Sequence, residues 1–390
     1  MKNAILVSTV YQLFAAGNLI SCKRMSEVDI FLCNACLLES VDIAEKLVKE
    51  KGQVFICSEL FEPFRTVFPS NSKLSLVEKI IRWKRIVRKK YDLKPYEVLY
   101  ASSSCLQNQV LFHAVCKGGD TDLVVYEDGI GSYNNQFKKP HLSASLVYRI
   151  SFGGYFLFRA KEAYLYRPEM ANIPQGVKKK KLPVDPAIVR HFSKGEEEVK
   201  KKYEHARILF FDQALLTGDL KKIELQDSCL DLISEFFSAE EILFKPHPRY
   251  RGSCHGKYLT AADDLFFEAQ FQLLDVENKL LVSIASTACI SPKMLSEKEP
   301  YVILLYKMLG SDSAGLRIDE EKSIFAKIGS VYDSRKFFTP SSFDELRALL
   351  TRIKGEMGAA SEKSVEASAS ISCESSNTGS ILSREISQKC

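Results

Sequence analysis

The chain alternates between short apolar segments that suit β-strands and longer segments with helical periodicity. In the first 130 residues, the strand-like segments are AILVSTV, DIFLCNA, QVFICS, YEVLYASS and DLVVYEDG. The alternation restarts at RILFFDQ and continues through EILFKPHP, FQLLD, LLVSIAST and YVILLY. Strands separated by helices need crossover connections, which build parallel sheets covered by helices on both faces. The sequence therefore predicts two doubly wound α/β domains.

The length of 390 residues also exceeds what one hydrophobic core usually serves. We place the first domain at residues 1–170 and the second at residues 206–355. Residues 171–205 hold prolines, two glycines, four consecutive lysines and a charged run, which predicts a connector. Residues 356–390 are rich in Ser, Ala and Glu and could bury little apolar surface, so we expect a disordered tail.

Composition narrows the class of protein. The net charge of +5 is mild, so it favours an anionic small substrate over a nucleic-acid partner. Cys33 and Cys36 form a CNAC motif, but no second pair of ligands accompanies it, so we expect no metal site. Polar residues interrupt the N-terminal apolar run, and no stretch of about 18 apolar residues exists. We therefore expect a cytoplasmic protein without a membrane span.

Polar motifs follow four of the predicted strands. They are YEDG at 126–129, FFDQ at 210–213, FKPHP at 244–248 and IAST at 284–287. In parallel α/β sheets, ligands bind outside the carboxyl ends of the strands. Because the motifs come from both domains, we expect them to line a cleft between the domains.

The motifs of the second domain suit a phosphate. His247 lies between Pro246 and Pro248, which restrict the backbone, and its imidazole can donate a proton or a hydrogen bond near neutral pH. The alternative is a loop histidine that caps a turn. Ser286 and Thr287 precede a predicted helix, whose N-terminal amides and hydroxyls could bind phosphate. Their alternative role is a plain helix N-cap.

The motif of the first domain offers a base. Either Glu127 or Asp128 could accept a proton from an attacking hydroxyl, while its neighbour raises its pKa by repulsion or binds sugar hydroxyls. Gly129 and Gly131 would let the backbone approach a bulky ligand. The alternative is a turn that simply ends the strand. Neither GxGxxG nor GxxxxGK[ST] is present, which disfavours dinucleotide and P-loop sites.

The order of these motifs, acidic-acidic-Gly, then His-Pro, then Ser-Thr, resembles that of the bacterial sialyltransferases. The segments LVSTVYQLFAA, YEDGIGSY, RILFFDQALL and KPHPRY are most similar to glycosyltransferase family 52, the lipooligosaccharide sialyltransferase group. The resemblance covers roughly residues 1–350. It implies a GT-B fold, in which two Rossmann-like domains face a central cleft. It also implies an inverting, metal-independent transfer of sialic acid from CMP-sialic acid, with no cofactor beyond this donor.

The resemblance also implies roles for residues and an acceptor. His247 would be the general acid or the hydrogen-bond donor to the CMP phosphate. The base would be Asp128, as in several sialyltransferase families, although family 52 places it near Asp212. The residues implied for substrate binding are Glu127, Gly129, Lys245, Pro248, Arg249, Ser286 and Thr287. The acceptor would be a terminal sugar, such as galactose, of a cell-surface lipooligosaccharide or capsular glycan.

Other activities fit the same motifs. They are transfer from another CMP-sugar, as by a Kdo transferase or a polysialyltransferase, epimerisation of a nucleotide sugar, and a non-catalytic role in envelope-glycan assembly. The likeness is also compatible with a homodimer.

The basic segment at residues 79–90 predicts an amphipathic helix that could also serve as a docking surface. Residues 79–90 include seven Lys or Arg interleaved with apolar residues. This pattern predicts a helix that packs one face inward and exposes the other to water. Alternatively, the basic face docks on anionic lipid headgroups at the inner face of the plasma membrane, or on a phosphorylated acceptor.

Overall fold

A computed structural model describes most of the chain as two α/β domains. The described residues are 2–33, 40–48, 52–57, 75–91, 96–102, 106–115, 121–133, 137, 142–152, 154–193, 196–212, 220–246, 258–260, 266–312 and 324–359.

The strands divide between two sheets. Those of the first are β1 (Asn3–Val7), β2 (Val28–Leu32), β3 (Val54–Ile56), β4 (Val98–Ala101), β5 (Asp122–Tyr126), β6 (Ala160–Leu165) and β7 (Lys178–Lys181). Those of the second are β8 (Ile208–Phe211), β9 (Ile242–Lys245), β10 (Leu259–Thr260), β11 (Leu280–Ser283), β12 (Tyr301–Leu304) and β13 (Phe337–Phe338).

Helices connect these strands. In the first part of the chain they are α1 (Val10–Cys22), α2 (Val41–Val48), α3 (Leu76–Tyr91), α4 (Leu106–Val115), α5 (Leu142–Phe152), α6 (Pro186–Phe192) and α7 (Glu196–Tyr203). In the second part they are α8 (Leu220–Ser234), α9 (Phe267–Gln270), α10 (Ser291–Ser296), α11 (Ile324–Val331) and α12 (residues 343–359).

Both sheets have the same winding. The first has the order β3-β2-β1-β4-β5-β6-β7, and the second has the order β10-β9-β8-β11-β12-β13. All neighbouring strands run parallel. In each sheet the winding reverses beside the first strand, between β1 and β4 and between β8 and β11. Such switch points open crevices at the carboxyl ends of the strands, where ligands bind. The predicted pair of doubly wound domains is confirmed.

The central strands are apolar because helices cover both of their faces. Ala4 to Val7 of β1 and all four residues of β11 have no exposed surface, as expected for parallel strands within a sheet. Helix α1 begins directly beyond β1, where the Thr9 hydroxyl accepts a hydrogen bond from the Gln12 N–H at 3.1 Å. This cap places the first turn of α1 at the carboxyl edge of the sheet.

Part of the predicted connector, residues 171–205, belongs to the first sheet. Lys178–Lys181 forms β7, which pairs with β6, and Lys180 Nζ lies 2.7 Å from Glu162 Oε1. The apolar pattern missed this strand because an edge strand needs little burial, and lysine is common on exposed sheet edges. Helices α6 and α7 then lead to β8.

The FQLLD segment is not the predicted strand: Phe271–Leu273 forms a 3-10 turn that directly follows α9. A short apolar run does not distinguish a buried strand from a buried helical turn. At the other end, α12 extends through residue 359, so residues 356–359 of the predicted tail (356–390) are helical, and Met357 is buried in the core. Residues 360–390 lie outside the described residues.

An aromatic cluster joins the two domains. Phe266 precedes α9, and its ring centroid lies 5.3 Å from that of Phe14 in α1, 5.9 Å from that of Phe192 in α6 and 6.2 Å from that of Tyr11. Beside it, Arg167, which follows β6, forms an ion pair with Glu297 after α10 and donates a hydrogen bond to the Lys293 carbonyl.

Across the described ranges, no helix is both long and apolar enough to cross a membrane. Within those same ranges, no group of three His, Cys, Asp or Glu side chains could hold a metal ion. Cys33 is a buried free thiol, and Cys36 lies outside the described residues.

We expect the Phe266→Ala substitution to lower the free energy of unfolding by about 2 kcal/mol, because it leaves a cavity between α1 and α6. Urea denaturation would measure this change. Phe343→Ala is the matched control, since Phe343 is 44% exposed on α12 and its loss should cost under about 0.5 kcal/mol. Equal effects of the two substitutions would contradict a role for Phe266 in joining the domains.

Candidate active site at the carboxyl ends of the strands

Glu127 follows β5 and is fully buried. Its Oε2 accepts hydrogen bonds from the Tyr133 hydroxyl and from the Tyr166 N–H, at 3.0 Å for the latter. The Tyr133 oxygen accepts a further hydrogen bond from the Arg167 N–H at 3.0 Å. Glu127 thereby ties the end of β5 to the segment that follows β6. Among the described residues, no group hydrogen-bonds its other oxygen, Oε1.

Burial decides the protonation state of Glu127. It raises the pKa of this carboxyl to about 8, although the hydrogen bonds from Tyr133 and Tyr166 act in the opposite direction. The charge of Asp128 raises the pKa further. Glu127 is therefore mostly neutral at pH 7.

Asp128 is half-buried and is held by α1. Its Oδ1 accepts a hydrogen bond from Gln12 Nε2, and its N–H donates to Ser132 Oγ at 2.6 Å. Gln12 in turn accepts a hydrogen bond from the Ser8 N–H, directly after β1. The carboxyl group of Asp128 therefore leans toward the switch point between β1 and β4.

The pKa of Asp128 is raised to about 6 by burial, and the hydrogen bond from Gln12 partly opposes this rise. The sequence interpretation attributed such a rise to repulsion from the neighbouring carboxylate. Burial is instead the cause at Asp128, and the repulsion acts on Glu127. Asp128 is thus mostly ionised at pH 7 yet remains a stronger base than an ordinary aspartate.

Glycine is favoured at positions 129 and 131 for different physical reasons. Gly129 has a φ of +69°, a left-handed conformation that side chains disfavour, and a Cβ there would lie 3.5 Å from the Tyr11 ring. A Cβ at Gly131 would lie 3.0 Å from Asp128 Oδ2. Glycine at position 131 thus leaves room beside this carboxylate oxygen.

In the second domain, Lys245 and Asp212 lie side by side at the carboxyl edge. Lys245 ends β9, and its carbonyl accepts a hydrogen bond from the Asp212 N–H at 2.9 Å. Asp212 is 4% exposed, and its Oδ1 accepts a hydrogen bond from Gln226 Nε2 at 2.9 Å. Asp212 therefore lies at the switch point between β8 and β11 but is bound to a helix of its own domain.

Ser286 and Thr287 lie on the other side of this switch point, after β11. Both are half-buried, and Ser286 Oγ accepts a hydrogen bond from the Ala288 N–H at 3.3 Å. Ser286 thus caps a short 3-10 turn, Thr287–Cys289, which precedes α10. Helix α10 itself begins at Ser291, four residues after Thr287.

Three predicted residues, His247, Pro248 and Arg249, lie outside the described residues. Lys245 and Pro246 are the last described residues before them. The position of the imidazole relative to Asp128 therefore stays a prediction.

A further carboxyl group, that of Glu268 in α9, interacts electrostatically with groups of both domains. Its charge adds to the burial that raises the pKa values of Tyr11 and Tyr166, which belong to the first domain. Burial raises the pKa of Glu268 itself to about 7, while Lys245 lowers it. Glu268 is therefore within electrostatic reach of groups at the carboxyl edges of both sheets. It was not among the residues predicted from the sequence, because it is the second residue of α9 and follows none of the predicted strands.

Comparison with known proteins supports the fold and nothing finer. No protein-family model and no curated protein sequence matches the chain. Among solved structures, the chain is similar to a spinosyn rhamnosyltransferase, with 12% identity over 92% of this chain and 96% of that one, and a TM-score of 0.50. Two UDP-GlcNAc 2-epimerases are also similar. The enzyme from Neisseria meningitidis has 10% identity over 94% and 100% of the two chains, and that from Methanocaldococcus jannaschii has 14% over 90% and 99%, each with a TM-score of 0.49. The two parallel sheets of this chain form a GT-B-type fold.

Proposed function

We propose that the chain is a glycosyltransferase that transfers sialic acid from CMP-sialic acid to a terminal sugar, such as galactose, of a lipooligosaccharide or capsular glycan. The transfer would be inverting and would need no metal ion. The single observation that carries this proposal is the Asp128 carboxyl. It lies at the carboxyl edge of the first sheet, its pKa is raised to about 6, and its Oδ1 accepts a hydrogen bond from the side-chain amide of Gln12. The GT-B fold, shared with a rhamnosyltransferase, supports a sugar-transfer reaction.

Asp128 would act as the general base. Gln12 holds Oδ1, so Oδ2, beside Gly131, would accept the proton of the acceptor hydroxyl. The hydroxyl oxygen would form a bond to the anomeric carbon as the bond to the CMP phosphate breaks on the opposite face. His247, Lys245 and Arg249 would stabilise the departing phosphate.

The donor would lie along the switch point of the second sheet. Ser286 and Thr287 would bind the CMP phosphate through hydroxyls and backbone amides of the turn after β11. Lys245, which ends β9, is half-buried at the same edge and would add positive charge. Pro248 would keep the His247 segment extended, because its ring restricts the preceding residue.

Several contacts favour Asp128 over Asp212 as the base. Asp128 is half-buried and near the space between the domains, whereas Asp212 is 4% exposed and hydrogen-bonded to α8. Glu127, which the resemblance implies for substrate binding, is fully buried. We propose that it positions Tyr133 and the segment after β6, with Gly129 permitting the turn that brings Asp128 to the edge.

A donor screen tests the proposal directly. The full chain with a galactoside acceptor should release CMP from CMP-sialic acid and form a sialylated product. CMP-Kdo and UDP-GlcNAc serve as the comparison donors. CMP release from CMP-Kdo alone would identify a different transferase, and acceptor-independent conversion of UDP-GlcNAc would identify an epimerase. His247→Ala should lower product formation by at least about 100-fold and weaken CMP binding.

Paired substitutions test which aspartate is the base. Asp128→Asn should lower kcat by at least about 100-fold, because an amide cannot accept the proton. Asp212→Asn should keep kcat within about tenfold, because the asparagine oxygen can still accept the hydrogen bond from Gln226. The melting temperatures of both variants would verify folding. A folded Asp212→Asn protein without activity, beside an active Asp128→Asn protein, would place the base in the second domain.

The pH dependence of transfer tests the environment of Asp128. A base must be deprotonated, so kcat should rise with pH and level off above about 6. Gln12→Ala removes the hydrogen bond that lowers the Asp128 pKa, so this rise should move to higher pH. Glu127→Gln should leave a rise in the same direction, because the neutral amide replaces a carboxyl that is already neutral there. An unshifted profile in Gln12→Ala would show that another group titrates.

A further inference from the structure

One face of the first domain combines exposed apolar and basic side chains. Its exposed residues are Arg82, Arg85, Ile86 and Lys89 on α3, Leu146, Arg149 and Ile150 on α5, and Phe158 in the 3-10 turn after α5. We call this set the basic-apolar face. None of these residues takes part in the site proposed above.

The two helices form one continuous surface. On their inner sides, Trp83 of α3 is buried in the same core cluster against which Val147 and Phe152 of α5 pack. Lys84 Nζ also lies 5.9 Å from the centroid of the Phe152 ring. Because α3 and α5 cover the same side of the sheet and touch each other, their outer sides are exposed next to one another.

The apolar residues of this face are unusually open to water. Leu146 and Ile150 are each 60% exposed and lie one helical turn apart, so they project from the same side of α5. Phe158 is 46% exposed, and its ring centroid lies 5.2 Å from that of Tyr155. The predicted inward face of α3 accounts for Ile80, Trp83 and Val87, which are buried. It does not account for large aliphatic side chains on the outside of α5.

The charge of the same surface is strongly positive. Residues 76–91 and 142–159 together contain nine Lys or Arg and one Glu, whereas the whole chain has a net charge of +5. The positive excess of the chain is therefore concentrated here. Cations around exposed aliphatic and aromatic side chains are complementary to a surface with anionic headgroups above an apolar interior.

We propose that the basic-apolar face docks the protein on an anionic lipid bilayer. Leu146, Ile150 and Phe158 insert at the boundary between headgroups and acyl chains. Arg82, Arg85, Lys89 and Arg149 lie among the lipid phosphates. This inference goes beyond the proposed function and does not rest on it, because it concerns a surface of α3 and α5 and not the strand ends.

Vesicle co-sedimentation of the full chain tests the proposal. The protein should bind vesicles that contain phosphatidylglycerol and should bind vesicles of pure phosphatidylcholine at least about tenfold more weakly. Binding should also weaken as salt concentration rises. Equal binding to both vesicles, or no binding to either, would overturn the proposal.

Matched variants assign the binding to this face. Leu146→Ser with Ile150→Ser should weaken binding at least about tenfold, whereas Val331→Ser with Phe343→Ser, at similarly exposed positions in the second domain, should not. Arg82→Glu with Arg85→Glu should weaken it at least about thirtyfold, whereas Lys178→Glu with Lys181→Glu on β7 should have little effect. If each control pair weakened binding as much as its test pair, the attraction would be non-specific and the proposal wrong.

Two further readouts separate lipid docking from misfolding and from self-association. Trp83 is the single tryptophan of the chain and is buried on the inner side of α3, so its emission spectrum reports whether a variant is folded. Light scattering of the protein without lipid detects self-association. If Leu146→Ser with Ile150→Ser dissociated a dimer and left vesicle binding unchanged, the face would be an interface between copies and the proposal wrong. CMP release with a soluble acceptor should persist in these variants, which separates this test from that of the proposed function.

Discussion

The buried carboxyl group of Glu127 connects the parts of this molecule that form the candidate site. One of its oxygens accepts hydrogen bonds from the Tyr133 hydroxyl and the Tyr166 N–H, and the Tyr133 oxygen accepts a hydrogen bond from the Arg167 N–H. The Arg167 side chain then reaches Glu297 in the second domain. A single buried group thus fixes the turn after β5, the segment after β6 and, through that segment, a contact between the domains. Buried polar networks of this kind specify one arrangement, because each unpaired member would be costly.

Two adjacent carboxyl groups acquire different protonation states from this arrangement. Burial alone would raise the pKa of both, but Glu127 has no exposed surface, whereas Asp128 is half-buried and receives an amide hydrogen bond. The result is a neutral group with a pKa of about 8 beside an ionised group with a pKa of about 6. Pairs of titratable groups whose environments separate their pKa values are typical of acid–base sites. The neutral partner supports the turn, and the ionised partner is the one that could accept a proton.

Much of the fold could be predicted, because buried parallel strands are nearly continuous apolar runs, as in β1 and β11, and helices separate them. Strand β7 could not, because lysines have low strand propensity and only pairing with β6 places them in a sheet. The strand-end rule located Asp128, Asp212 and Ser286 at the carboxyl edges, but hydrogen bonds to Gln12 and Gln226 depend on tertiary packing that a linear pattern does not contain. For the same reason, Glu268 carried no sequence signal.

Strand β7 has a consequence for how copies of this chain could associate. It is the last strand of the first sheet, and all four of its residues are lysines. If the β7 strands of two copies paired edge to edge to form one continuous sheet, eight lysine ammonium groups would lie along a single pair of strands. Coulomb repulsion between these groups would oppose the pairing before any backbone hydrogen bond formed, as charged residues on edge strands do in other proteins. A symmetric dimer would therefore have to form through another part of the surface. The β7 edge of the sheet would also be a poor template for fibril growth.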